Sequence, residues 1–471
     1  MSAPRVSRPS WRALLGRCLL NVATPAWMAV DLFIVFAGTL MGQRAFVWWH
    51  PNTSLLIDYK LWLVNLALGC SVVLAGMMFG LYERNTLWHR GRIVARGLLT
   101  ILFAMVATFI CVQVFMYSEI SRRTAAFAII FYLAAATGVR LLAHRAVRHV
   151  HHGLLLLGHG TATSLLLRAI QHGRVPGYRL HGVVSHAPDR HGKSIRGIPV
   201  LGGLQSLPQF VSDLHVNEII LAEGTQHLAE YQAAALACLR MGCRVTTETT
   251  FFEAAFGEVP VAHITPSWFL SADLRGQREE HATIKRVFDI CCAMIGLALT
   301  LPFWPLIALI IRLQDGGPAF YSQQRIGHGG RVFTLHKFRT MSADAERNGC
   351  TWAVSNDPRV TTFGRWLRLS RLDELPQLWN ILRGDMSMVG PRPERPDVVD
   401  VLSNAIPYYQ ERHLIKPGLT GWAQINYRYG SSIGDARRKL QYDLYYIKHI
   451  SLELDLIILL RTFGTFLSGA R

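Results

Sequence analysis

Apolar residues in this chain gather in blocks instead of spreading at the spacing of one soluble core. Four runs in the first third, near residues 27–42, 61–81, 97–117 and 125–143, approach or reach the length that crosses a bilayer core as a helix. The first is short and carries Asp31. Trp48, Trp49, Trp62 and Trp88 lie near the ends of these runs, where amphipathic rings favour the membrane interface. A fifth run, 287–313, has a different pattern. Straight, it would measure roughly 40 Å, enough to span. Pro302 and Pro305 interrupt it, and each removes a backbone donor. Lys285-Arg286 and Arg312 flank its two ends, and both flanks favour the same side. This pattern predicts a re-entrant helix that breaks near Pro302 and returns, with Asp289 at a shallow, interfacial depth. A spanning helix with a proline kink is the alternative.

Between the fourth and fifth runs the pattern changes to short strands and helices. Strands are expected at 154–157, 180–184, 218–222 and 244–246, and helices at 164–172 and 226–241, with Pro199 and Gly202-Gly203 as punctuation. Alternation of this kind predicts a Rossmann-like parallel sheet covered by helices. The loop Gly158-His159-Gly160-Thr161-Ala162-Thr163 has two glycines of a dinucleotide fingerprint. Thr163 stands where the third would be, and the second strand ends in Ser185-His186, not in an acidic residue. A structural or regulatory domain is the better reading.

Charge orients the membrane segments. Basic residues outnumber acidic ones, 49 to 31, for a net charge of +18, and mean hydropathy is +0.23. Arg5, Arg8, Arg12, Arg17, Arg84, Arg90, Arg92, Arg96, Arg140, Arg145 and Arg148 fall on one side of the four spans. Only Arg44, Lys60, Arg122 and Arg123 fall on the other. The N-terminus and everything after the fourth span are therefore expected in the cytoplasm. The surplus charge suits anionic lipid or phosphate; no nucleic-acid motif is present. The eight cysteines include no C-x-x-C pair, so neither zinc nor a redox site is expected. The first residues have no clean cleavage site for a secretory leader.

Chemistry concentrates after the fifth run. Gln323-Gln324-Arg325-Ile326-Gly327 and Lys337-Phe338-Arg339-Thr340-Met341 bring basic groups among apolar ones. Arg365, Arg368 and Arg371 lead to Asp373-Glu374. Gly384-Asp385-Met386-Ser387-Met388-Val389-Gly390-Pro391-Arg392-Pro393, Lys416-Pro417-Gly418-Leu419-Thr420-Gly421-Trp422 and Ser451-Leu452-Glu453-Leu454-Asp455 follow. Adjacent carboxylates on a helix would project about 100° apart, so one can act as a covalent nucleophile and the other can hold a hard cation. Arginines grip phosphate in bidentate fashion.

Over residues 285–462 these strings resemble the polyprenyl-phosphate sugar-1-phosphate transferases of bacteria, and the preceding spans and α/β block resemble the long form of that family. The resemblance implies a membrane α-helical bundle (1–150), an α/β Rossmann-like domain (151–265) and a mainly α catalytic domain (281–471) with a re-entrant membrane helix. It implies transfer of hexose-1-phosphate, with glucose as the leading sugar, from a UDP-sugar to undecaprenyl phosphate at the inner membrane. It implies Asp373 as nucleophile, Glu374 as Mg²⁺ ligand, and Arg368, Lys337, Arg339, Arg392 and Asp455 as substrate-binding residues. A homodimer is part of the same implication. Asp443 and Trp422 read as structural. Two other functions compete: a catalytically silent scaffold, and a nicotinamide-dependent epimerase or dehydratase. The α/β block has no Tyr-x-x-x-Lys pair to serve the latter.

Overall fold

The computed structural model describes residues 24–49, 59–82, 86–88, 90–111, 122–147, 152–159, 163–175, 177–222, 228–261, 264, 268–269, 276–342, 344–345, 357–427, 430 and 432–467. The chain divides into two compact units, Met1–Glu248 and Thr249–Arg471.

The first unit begins with helices α1 (Thr24–Trp49), α2 (Tyr59–Met78), α3 (Arg90–Cys111) and α4 (Arg122–Val147). Thr24–Gly42, Arg90–Ile110 and Phe127–Val147 are long and apolar enough to cross a membrane; the described apolar stretch of α2, Asn65–Met78, is shorter. Helix α3 starts at Arg90, seven residues ahead of the apolar run, because arginine is a good helix former and extends the turn. Arg5, Arg8, Arg12, Arg17, Arg84 and Arg148 lie outside the described residues. So do the side chains of Lys60, Arg122, Arg123, Trp48, Trp49 and Trp62. The bundle packs through Ile34, Val35, Leu68, Val72, Ile101, Ala104, Tyr132 and Ala136. Phe33, Leu66, Leu102, Phe109, Ile130 and Leu142 face outward, an exterior suited to hydrocarbon. Asp31 is explained by a partner 109 residues away. Arg140 donates from Nη1 and Nη2 to its two oxygens at 2.9 and 2.8 Å, and Tyr82 Oη adds a bond of 2.8 Å.

The α/β part follows as β1 (His152–Leu157), α5 (Thr163–Gln171), β2 (Tyr178–Val184), β3 (Ser194–Ile195), β4 (Ile198–Gly202), α6 (Leu207–Asp213), β5 (Val216–Leu221), α7 (Leu228–Arg240) and β6 (Arg244–Thr247). The sheet order is β3-β4-β2-β1-β5-β6, parallel except for the β3–β4 pair. Pro199, read as punctuation, lies inside β4. Pairing with β2 begins only at Val200, so the missing N–H of Pro199 breaks no bond there. Helix α6 was not foreseen, because Pro208 sits in its first turn, where proline is tolerated.

Helix α8 (Glu248–Phe256) begins at the division. The α/β domain was expected to run to residue 265. Instead Val259, Val261 and Ile264 join Val389, Leu402, Leu440, Leu444, Tyr446 and Ile458 in the core of the second unit. Buried Glu253 ties the same segment to Lys448 at 2.8 Å.

The second unit continues with α9 (Gly276–Thr300), a 3-10 turn at Leu301–Phe303, α10 (Trp304–Asp315), the hairpin β7 (Phe320–Ile326) and β8 (Val332–Phe338), then α11 (Thr362–Ser370) and α12 (Gln377–Arg383). Strand β9 (Ser387–Val389), α13 (Pro396–Ala405), β10 (Gly418–Thr420), α14 (Trp422–Asn426), α15 (Ile433–Lys448) and α16 (Leu452–Leu467) complete it. The fifth apolar run is broken where the prolines fall, with Pro302 in the 3-10 turn and Pro305 in the first turn of α10. Ala282–Asp315 as a whole is long and apolar enough to cross a membrane. Its two ends are both fixed to the second unit. Arg286 donates to the carbonyls of Ile381 and Leu382 at 2.6 and 2.7 Å, capping α12. Asp315, at the other end, pairs with Arg339. Asp289 is buried within the second unit and accepts from Met388 N at 3.0 Å. The backbone N–H supplies the hydrogen bond that a buried carboxylate needs.

The Asp31–Arg140 pair generates a prediction. Arg140→Leu leaves a buried carboxylate unpaired and is expected to destabilise the bundle by roughly 3–5 kcal/mol. The melting temperature of the detergent-extracted chain should fall, and Asp31→Leu in the same chain should restore most of it. An unchanged melt of the single variant would show that the pair is solvated.

Candidate active site

Asp373 and Glu374 do not lie on an α-helix. They sit in a single 3-10 turn, Leu372–Glu374, between α11 and α12. Arg371 adopts a left-handed conformation, φ 57°, and ends α11 two residues before the pair. A 3-10 turn places successive side chains about 120° apart, so the two carboxyls still diverge. Asn380 holds this segment against β8. It is fully buried, donates to Thr334 O at 2.7 Å and accepts from His336 N at 3.1 Å. Lys337, the next residue on β8, is thereby kept beside the carboxylate turn.

Both carboxylates are buried, at 7% and 8% exposure, yet their environments differ. Burial pushes Glu374 upward, but the charge and hydrogen bond of Arg392, with Arg371 and Lys337, outweigh it and hold Glu374 at about 2. Arg392 Nη2 lies 2.7 Å from Glu374 Oε1 and Arg371 Nη1 lies 3.3 Å from the same atom. Asp373 has no such partner. Burial and the neighbouring charge of Glu374 raise it to about 6 against the pull of Lys337, Arg371 and Arg392. Its Oδ1 makes no hydrogen bond among the described residues. Burial, with the repulsion of Arg392 and Arg325, lowers the half-buried Lys337 to about 8.

The structure brings Asp373, Glu374, Lys337 and Arg392 into one cluster, with Arg371 and Arg325 at its edge. Arg368 stands at the end of α11, its Nε donating to Thr340 Oγ1 at 2.8 Å. Both its Nη groups are free of partners among the described residues. Two expected ligands are placed elsewhere. Arg339 is buried and engaged with Asp315, and Gly317 is needed beside it because a Cβ there would collide with the guanidinium. Asp455 is buried in a separate cluster, accepting from Lys285 Nζ and Tyr446 Oη at 2.6 Å each. Tyr446 Oη also lies 3.2 Å from the carbonyl of Val389, in the strand that leads to Pro391-Arg392-Pro393. Arg371 was read only as one basic residue among several. Its role depends on a backbone conformation that the sequence pattern does not announce. In the α/β part, Ser185 is buried and His186 pairs with Glu230 at 2.9 Å, so no carboxylate ends β2 to hold a ribose.

Among the described residues no three His, Cys, Asp or Glu side chains converge to hold a metal. Both arginines donate to Glu374 Oε1, which leaves Oε2 and Asp373 Oδ1 as the available oxygens. This donor set fits Mg²⁺, which binds one or two carboxylates and completes its shell with phosphate oxygens and water.

Comparison with known proteins places the chain in a family. The sequence model of the bacterial sugar transferase family matches residues 280–469, and that of a CoA-binding domain matches residues 77–225. A UDP-N-acetylgalactosamine-undecaprenyl-phosphate N-acetylgalactosaminephosphotransferase of Aeromonas hydrophila is 43% identical over 189 residues, 40% of this chain and 45% of the relative. A UDP-glucose:undecaprenyl-phosphate glucose-1-phosphate transferase of Caulobacter vibrioides is 43% identical over 186 residues, 39% of this chain and 70% of the relative. The Xanthomonas campestris protein of the same name is 42% identical over 184 residues, 38% of this chain and 37% of the relative. The chain belongs to the bacterial sugar transferase family. The match spans less than half the length of the Aeromonas and Xanthomonas relatives.

The environment of Asp373 makes a prediction that needs no substrate. Burial holds its carboxyl at about 6 in the folded chain against an ordinary 3.8, so ionising it costs stability increasingly from about pH 4 to pH 6 and fully above that. Asp373→Asn is expected to stabilise the fold by about 3 kcal/mol at pH 7.5 and by only about 1 kcal/mol at pH 4.5. Melting curves at the two pH values check this; a loss of stability at pH 7.5 would mean that the carboxylate is well solvated or paired.

Proposed function

We propose that the chain is a membrane enzyme that transfers hexose-1-phosphate from a UDP-sugar to undecaprenyl phosphate and releases UMP, as a first step of surface-polysaccharide synthesis. The observation that carries this reading is a buried carboxylate without hydrogen bonds on Oδ1, Asp373, next to one clamped by arginine, Glu374. A nucleophile at phosphorus must be ionised and bare; a metal-binding carboxylate must stay ionised throughout.

In the first step an oxygen of Asp373 attacks the phosphorus bearing the sugar. The bond from that phosphorus to the bridging oxygen breaks, UMP departs with the electron pair, and the phosphosugar stays on Asp373. In the second step an oxygen of the lipid phosphate attacks the same phosphorus and Asp373 leaves as carboxylate. Lys337, Arg368 and Arg392 bind phosphate oxygens of the donor, and Pro391 and Pro393 shape the nucleotide side. Glu374 Oε2 would hold Mg²⁺, whose charge offsets that building up on the leaving UMP. Arg339 and Asp455 hold the frame and do not touch the donor. The proline break and the attachment of both ends of residues 282–315 to one unit support a re-entrant hairpin in the cytoplasmic leaflet. Names of relatives contain both glucose and N-acetylgalactosamine; glucose-1-phosphate is our first choice for the group transferred.

UMP release is measured with undecaprenyl phosphate, Mg²⁺ and a panel of UDP-sugars. We expect release with one UDP-hexose, its loss in chelator, and a fall of at least about 10³-fold in Asp373→Asn. Persistence in Asp373→Asn would sink the covalent step, and silence with every donor would favour a scaffold.

The pH profile follows from the cluster. Asp373 must be ionised, so kcat/KM should fall below about pH 6. Lys337 must be protonated, so it should fall again above about pH 8. Lys337→Arg should remove the alkaline limb; a limb that stays in place belongs to another group.

A further inference from the structure

The loop that presents Arg392 is held through its carbonyl oxygens. Four consecutive carbonyls are bound by donors from three other segments: β10, the turn that carries Arg412, and β7. Pro391 O accepts from Gly418 N at 2.9 Å, Arg392 O from Arg412 Nη2 at 2.9 Å, Pro393 O from Arg325 Nη1 at 3.1 Å and Glu394 O from Ile326 N at 2.9 Å. Two of the donors are backbone groups of β10 and β7. The other two are side chains, and Arg412 is the one removed from solvent.

Arg412 is 5% exposed and its partner Asp443 is 3% exposed. Nη2 also donates to Asp443 Oδ2 at 2.9 Å, and Nη1 donates to Tyr409 Oη at 2.8 Å. A guanidinium so enclosed cannot reach a substrate. A buried ion pair is seldom worth much as stability alone, since apolar residues of similar volume can replace it at little cost. What this pair does that an apolar pair cannot is bind the Arg392 carbonyl from a planar fork whose other bonds fix its direction. The side chain on that same residue makes the 2.7 Å bond to Glu374.

We propose that Arg412, held by Asp443, is a positioning residue: it fixes the backbone at Arg392 so that the Arg392 side chain stays on Glu374 while the nucleotide diphosphate enters and UMP leaves. The inference rests on the transfer reading above. A loosened loop would let Arg392 drift from both Glu374 and the donor phosphates, and the loss would appear in turnover more than in folding.

The test is a double-mutant cycle on UMP release by the full-length, detergent-extracted chain. Four proteins are compared: native, Arg392→Ala, Arg412→Gln with Asp443→Asn, and the triple variant. The paired change leaves neither buried charge alone, and assays with enzyme in excess keep slow variants measurable. In the native background the pair should lower kcat/KM by about 10–100-fold, the range found for groups that orient a site ligand. In the Arg392→Ala background it should lower kcat/KM by less than about 2-fold, because residues acting through one another are not additive. Equal losses in both backgrounds overturn the proposal and leave the pair a structural one. If the paired variant fails to fold, Arg412→Lys enters the same cycle under the same criterion, since it keeps the charge opposite Asp443 but not the fork. A native chain that releases no UMP overturns the transfer reading and this inference together; additive losses from an active native chain overturn this inference alone.

Discussion

Two adjacent carboxylates buried in one turn are the constraint around which the second unit is arranged. Like charges at this separation in a site with little water cannot both be left to themselves. The chain answers with unequal neighbours. Glu374 receives two arginines on one oxygen, and Asp373 receives only the diffuse field of Lys337, Arg371 and Arg392. The cations come from separate segments: Lys337 from β8, Arg371 from the end of α11 and Arg392 from the loop after β9. None would be near the pair without the packing that sets those segments side by side.

Much of the unit can be understood as the means of holding those segments. Asn380 joins α12 to β8, and Asp289 joins α9 to β9. The Lys285–Asp455–Tyr446 cluster reaches the carbonyl of Val389, one residue before Gly390. Strands β9 and β10 approach so closely that a Cβ on Gly418 would collide with the backbone of Gly390. These contacts are polar, buried and satisfied, and such networks specify a geometry more than they add stability. Several of them attach to the apolar helix α9, so the helix that would meet the membrane is part of the frame that carries the nucleotide loop.

The sequence disclosed the architecture and the central chemistry unevenly. Helices in the first third were legible because their apolar runs are long, and strands β1, β2, β5 and β6 because short apolar runs alternate with helical ones. The motifs around Asp373-Glu374 and Pro391-Arg392-Pro393 were legible through resemblance. Less visible were features that depend on residues far apart. Asp31 read as an oddity until Arg140, 109 residues on, explained it. Asp455 and Arg339 were expected as substrate ligands through the resemblance; each is itself buried and has an ion-pair partner, Lys285 or Asp315, that periodicity cannot pair with it. The boundary near residue 265 failed for a related reason. Val259, Val261 and Ile264 carry no signal that distinguishes one apolar core from another.

The unequal environments also bear on which carboxylate does what in the proposed reaction. A carboxylate clamped by Arg392 is a poor nucleophile, because the arginine charge and hydrogen bond stabilise its anion and lower the basicity of both its oxygens. It is a good cation ligand, since its remaining oxygen stays ionised at every pH the cell offers. A carboxylate raised to about 6 is still mostly ionised near neutrality, and its Oδ1 has no hydrogen bond to a described residue that attack would have to break. Exchanging the two roles would make the less basic carboxylate the nucleophile and the one without an arginine partner the cation ligand. Sequence order alone does not distinguish the members of an Asp-Glu pair; the asymmetric placement of arginine does.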